Sequence, residues 1–98
     1  MIVEFRPEAR QELVEAAQWY LAEGGAAVAE QWGWAIERAL LLLSQMPQIG
    51  TVFSSRSRTW PLKRFPSTLV YSVQGEVLTV LAVAHQRREP GYWAGRTA

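Results

Sequence analysis

The groups in this 98-residue sequence best suited to chemistry gather after one strand-like run. Val77 to Ala84 is apolar, and it opens abruptly into His85-Gln86-Arg87-Arg88-Glu89-Pro90-Gly91-Tyr92-Trp93, with Arg96 three residues on. Metal-free cleavage of RNA needs a base for a 2′-hydroxyl, cations to hold the phosphate as charge develops, and an acid for the leaving oxygen. His85 suits the acid or base role. Lys63, Arg64, Arg87 and Arg88 suit the phosphate, and Tyr92 can stack on a base. The same ending also suits a recognition edge: arginines and aromatics carried out from a rigid strand meet a polyanion or a protein surface equally well. A histidine at a strand end can simply cap it, and the two basic pairs can guard a sheet edge against pairing.

Other chemistries have little to work with. The absence of cysteine excludes disulfide frameworks and thiolate sites, and one histidine with no aspartate argues against a metal site. Gly24-Gly25 is followed by no lysine or serine motif, so it is no phosphate loop, and no cofactor is expected. The N-terminus lacks a hydrophobic signal region, and the longest aliphatic run, Ala39 to Leu43, is far too short to span a bilayer. The expectation is a soluble cytoplasmic protein forming one domain over residues 1–98, with an apolar fraction of 49% supporting a true core.

Net charge is +1, but it divides unevenly along the chain. Residues 1–50 carry three arginines against seven glutamates, a balance of −4, whereas residues 51–98 carry seven cations against Glu76 and Glu89, a balance of +5. The charge split predicts an acidic helical half and a basic sheet half.

The elements that position these groups follow from periodicity. Ile2 to Phe5 reads as a short strand, closed by Pro7 at the first helical position. From Glu8 to about Glu23 the residues Ala9, Leu13, Ala16, Ala17 and Tyr20 recur at helical spacing, and after the break at Gly24-Gly25 the period resumes with Ala29, Trp32, Ile36, Ala39, Leu40 and Leu43. A helical hairpin is predicted. Trp34, Leu41 and Leu42 fall off the second stripe, as expected of a helix partly covered by a partner, and Gly33 suggests a close backbone approach. Three strands then follow, over 59–65, 68–73 and 77–84, the last two joined at Gln74-Gly75-Glu76 as an antiparallel hairpin. Pro61 makes the first of these an edge strand or one that begins after it. Trp19, Trp32 and Trp60 are expected in or beside the core, while Trp34 and Trp93 suit either a seam or an interface. The fold class is α+β, with the hairpin on one face of a small antiparallel-rich sheet and the opposite face open.

The order β-α-α-β-β-β, the Phe5-Arg6-Pro7-Glu8-Ala9 opening, Pro47 followed by Gly50, Phe65-Pro66 before Leu69-Val70-Tyr71, and the terminal His85-to-Trp93 segment occur together. Over essentially its full length the sequence resembles the RelE/ParE toxin superfamily, and its C-terminal motif most resembles the ParE-like branch. The resemblance implies the toxin half of a bacterial type II toxin–antitoxin pair, causing growth arrest and held by a cognate antitoxin. RelE-like members cleave mRNA in the ribosome, whereas ParE-like members poison DNA gyrase without a recognised hydrolytic site. Where RelE-like enzymes carry a phosphate-binding arginine just before Leu69-Val70-Tyr71, this chain has Thr68. Where they carry one after the last strand it has Gln86, unless Arg87 substitutes with a one-residue shift. These departures favour a ParE-like gyrase inhibitor. A ribosome-dependent endoribonuclease using His85, Arg87, Arg88 and Tyr92 is the alternative, and a non-toxic interaction module derived from such a toxin is the second. On the leading reading Lys63, Arg64, His85, Arg87, Arg88, Tyr92, Trp93 and Arg96 form the target-binding edge. The antitoxin covers Trp34, Leu41 and Leu42 or adds a strand to a sheet edge.

Overall fold

The computed structural model describes residues 1–97. Strand β1 (Ile2–Phe5) ends where Pro7 begins helix α1 (Pro7–Gln45), since proline fits the first helical turn but cannot donate to a ladder. Gly25, with φ 84° and ψ 179°, interrupts α1 in a region of backbone space that is almost exclusive to glycine. The interruption is a reversal. In a straight helix, Leu13 and Trp32 would lie about 28 Å apart, yet the Trp32 indole Nε1 donates to the Leu13 carbonyl at 3.2 Å. The predicted helical hairpin is therefore present as two arms of one long helix.

Four strands follow: β2 (Thr51–Ser54), β3 (Ser57–Pro61), β4 (Ser67–Gln74) and β5 (Val77–His85). They join β1 in one mixed sheet of order β1-β5-β4-β3-β2, antiparallel except for β1 against β5. The hairpin at Gly75 forms as predicted. The strand expected over 59–65 instead spans Ser57–Pro61, and β2 was not anticipated. Its presence corrects the edge assignment: β3 is interior, and Pro61, its last residue, lies beyond the reach of β2 and pairs only with Thr68.

The arms of α1 cover one face of the sheet. Trp32, Ile36, Ala39 and Leu43 pack with Leu69, Tyr71, Leu78, Val80 and Val83, and the rings of Tyr20, Trp32 and Phe65 meet at 4.9–5.3 Å. The loop after α1 and strand β4 are tied at a close approach. The Tyr71 hydroxyl donates to the Pro47 carbonyl at 2.7 Å and accepts from the Gly50 amide at 3.1 Å, and a Cβ on Gly50 would fall 2.5 Å from that oxygen. Gly33, in contrast, faces open space, so no close approach explains it. Trp19 is also not a core residue. It is 61% exposed beside the Tyr20 ring, because the arm's buried stripe passes through Tyr20 instead.

The opposite face is not open. Val70, Leu81, Ala82 and Ala84 are covered by Trp93, itself 8% exposed, with Tyr92 beside it and the Phe53 ring of β2 tilted against it at 5.1 Å. Pro90-Gly91 turns the chain back across the sheet, Gly91 taking φ 81°. No helix of the described residues is long and apolar enough to cross a membrane.

Candidate binding site at the basic end of the sheet

The sequence separates Lys63 and Arg64 from His85, Arg87 and Arg88, and β-pairing reunites them. Ser67 pairs with His85, and the Gln86 amide donates to the Pro66 carbonyl at 2.9 Å, so the β3–β4 loop and the turn after β5 occupy one end of the sheet. Lys63, Arg64, Arg87 and Arg88 are all exposed there, and His85 is half-buried. The turn is short because the Arg87 amide donates to His85 Nδ1 at 3.0 Å and the Arg88 amide to the His85 carbonyl at 2.9 Å. His85 thus caps its own strand end and keeps Nε2 for another partner. Thr68, paired with Ala84, and Gln86 add no charge to this end of the sheet.

Tyr92, Trp93 and Arg96 belong to a different arrangement, centred on Glu12 of α1. β1 stops at Phe5 while β5 continues to His85, so the far half of β5 has no strand on that side. A bulge at Leu81, where Val70 pairs with Ala82 but Tyr71 with Val80, shifts the backbone phase there. Glu12 and Arg96 take the place of the missing strand. The Val83 amide donates to Glu12 Oε1 at 3.0 Å, and Arg96 Nη1 donates to the Leu81 carbonyl at 2.9 Å. Arg96 also holds Glu12 with two nitrogens, at 3.0 and 3.1 Å, and the Tyr92 hydroxyl donates to Glu12 Oε2 at 2.7 Å.

Charge and burial reinforce each other in this clamp. Burial pushes the Glu12 carboxyl up, but hydrogen bonds from Arg96, Tyr92 and the Val83 amide, with the Arg96 charge, outweigh it and hold the group below its ordinary value. The bond to Glu12 raises Arg96 further, and burial followed by the same carboxylate raises Tyr92 well above the usual phenol range. Both faces of this chemistry are occupied: the Tyr92 hydroxyl is committed, and its ring lies 4.0 Å from the Arg88 guanidinium and 5.2 Å from that of Arg96.

Of the residues singled out in the sequence, the structure brings Lys63, Arg64, His85, Arg87 and Arg88 together at the basic end. It joins Tyr92 to them through Arg88 and draws Trp93 and Arg96 onto the sheet. Trp34 and Leu41 are 60% and 62% exposed on the second arm, and Leu42 is half-buried. Sequence reasoning missed Glu12, and also an apolar groove of about 410 Å³ between the arms of α1, lined by Leu13, Val14, Ala17, Leu21, Trp32 and Ile36 among others. Glu12 had one signal, its place beside the Ala9-Leu13-Ala16 stripe. Among the described residues no three His, Cys, Asp or Glu side chains gather as metal ligands.

Comparison with known proteins agrees with this architecture. The family described as the ParE toxin of type II toxin-antitoxin system, parDE, matches residues 3–90. A solved structure described as the chromosomal ParDE TA system from P. aeruginosa superposes with a TM-score of 0.74 at 20% identity, covering 87% of this chain and 95% of that one. Among curated proteins no relative matches.

Proposed function

The chain belongs to the ParE toxin family of type II toxin–antitoxin systems, and from that premise we propose that it arrests growth by binding DNA gyrase and is neutralised by a cognate antitoxin. The observation that carries the gyrase reading is the commitment of Tyr92 and Arg96 to Glu12, with Trp93 seated on the sheet face between them. A nuclease would want that tyrosine turned to substrate, whereas a binding toxin can use it, with Arg96, to hold its recognition edge in shape. The edge consists of Lys63, Arg64, His85, Arg87 and Arg88, whose exposed cations suit an acidic surface on the target.

For the antitoxin, the exposed apolar side chains of α1 support docking on the helical half. Val14, Leu21, Trp34 and Leu41 are each 46–62% exposed, and the groove between the arms is wide enough for the apolar side chains of an amphipathic helix. Purified protein in a gyrase supercoiling assay tests the leading reading: inhibition relieved by the antitoxin is expected, and unaltered supercoiling at saturating protein would remove it.

One observation favours a second reading. His85 uses Nδ1 for the Arg87 amide at the end of the sheet that also carries the exposed Lys63, Arg64, Arg87 and Arg88, an arrangement a ribosome-dependent endoribonuclease could use for acid–base work on mRNA. Primer extension on translated transcripts separates the two. Intact mRNA during growth arrest eliminates the ribonuclease, and cleavage unchanged by His85→Ala eliminates His85 as its acid or base.

A further inference from the structure

At the basic end of the sheet, Arg88 is set apart from the other cations by what lies behind it. Lys63, Arg64 and Arg87 are exposed, and their side chains make no hydrogen bond or ion pair among the described residues. The Arg88 guanidinium is exposed too, but it sits 4.0 Å from the centre of the Tyr92 ring.

That ring is itself fixed. The Tyr92 hydroxyl donates to Glu12 Oε2 at 2.7 Å, and the same carboxylate is held by Arg96 and by the Val83 amide. The backbone at both ends of the contact is tied as well, the Arg88 amide donating to the His85 carbonyl at 2.9 Å and the Tyr92 amide to the Glu89 carbonyl at 3.2 Å. A guanidinium resting on a fixed ring gives up much of the rotamer freedom of a solvated arginine before any partner arrives, while its N–H donors stay unpaired. It is prepared for a bidentate acceptor.

A carboxylate and a phosphate both answer that description, and the surroundings choose between them. Proteins that read single-stranded nucleic acid offer aromatic faces to the bases. None is free at this end: Arg88, Arg96 and Trp93 lie against the Tyr92 ring, Trp93 is 8% exposed on the sheet, and Phe65 is packed with Tyr20 and Trp32. We propose that Arg88 is the anchor of the target-binding edge, taking a carboxylate on an acidic protein surface with two of its nitrogens, and that Glu12 is its positioning residue, acting through Tyr92. This rests on the reading of the chain as a toxin that binds a protein target, and it names the group that does the binding.

The test is titration of the whole protein with hexaglutamate and, separately, hexauridylate at about 50 mM salt, following backbone amides and arginine Nε–H signals by NMR. Saturable shifts at residues 85–88 and at the Arg88 Nε–H are expected with hexaglutamate, at a Kd of about 1 mM or tighter. Arg88→Lys keeps the charge and loses the fork, and it should weaken binding about fivefold or more, while Arg87→Lys should stay within about twofold. Tyr92→Leu alters no charge and should weaken it about threefold or more. Glu12→Ala separates positioning from plain electrostatics by sign. Removing a negative charge would tighten an acidic peptide on a cluster of solvated cations, whereas loss of the support behind Arg88 weakens it. Glu12→Gln, which keeps an acceptor for the Tyr92 hydroxyl, should recover part of that loss. The assignment is overturned if hexaglutamate does not bind at this end, if Arg88→Lys and Arg87→Lys weaken it equally, if Glu12→Ala tightens it, or if hexauridylate binds more tightly with the same dependence on Arg88. The titration contains no gyrase, so a supercoiling assay that removes gyrase as the target is a separate result.

Discussion

The two faces of the sheet are built on different physical terms. Under α1, Trp32, Leu43, Leu69, Tyr71, Leu78 and Val80 are all buried to within 1% of full enclosure, and each touches several of the others, so stability is spread over many small contacts. On the far face the Trp93 indole, with Tyr92 and Phe53 beside it, covers Val70, Leu81, Ala82 and Ala84, and what fixes its segment is the one carboxylate of Glu12. Distributed packing tolerates change at any one point. A polar clamp concentrates geometry in one residue, and it positions the basic edge more sharply than apolar contact would.

The largest effect should come from the first face. Trp32→Ala removes a side chain that is 1% exposed and bridges both arms of α1, and it should cost about 3–5 kcal/mol in urea unfolding. Next is Glu12→Ala, which strands the Val83 amide, the Tyr92 hydroxyl and Arg96 together; a loss of about 2–3 kcal/mol is expected. Amide exchange should then rise at Val83 and across 91–96 while β1 stays protected. If the two faces lose protection equally, the contrast between them is wrong.

Acid sharpens the same contrast. Because Glu12 is held below its ordinary value of 4.5 in the folded protein, the unfolded chain binds the proton first. Its contribution is complete above that value and is lost as pH falls through the lower folded one. The stability gap between the parent and Glu12→Ala should therefore close as pH is taken below 4.5, and a gap independent of pH would remove the charge from the account. The smallest effect is Trp19→Ser: despite its size this residue is 61% exposed, and the change should stay within about 0.5 kcal/mol.

Much of the architecture was legible because local signals carry it. The hairpin of α1 follows from helical periodicity broken at Gly24-Gly25, and the β4–β5 hairpin from apolar runs flanking Gly75. β2 escaped notice because Thr51–Ser54 is exposed throughout and shows no alternation of burial. Trp19 misled because size was taken for burial when its neighbour Tyr20 occupied the stripe. The cations of the basic end were found as residue types, but their meeting depends on Ser67 pairing with His85. The clamp was hidden more deeply: Glu12 and Arg96 are 84 positions apart, and neither carries a local pattern that names the other.

The place of β1 bears on how the protein comes into being. Its sole ladder partner is Val77–Val80, the first pair joining Ile2 to Val77, 75 positions later (77 − 2). At synthesis speeds of about 5–20 residues per second, the first strand waits roughly 4–15 s for its mate to be made. The newborn chain therefore has the residues of its helix before those of most of its sheet. Closure of the sheet at β1 is therefore a late event that rests on a distant pairing of the slow kind, and a growing cell has those seconds in which another protein can meet the chain before its sheet has closed.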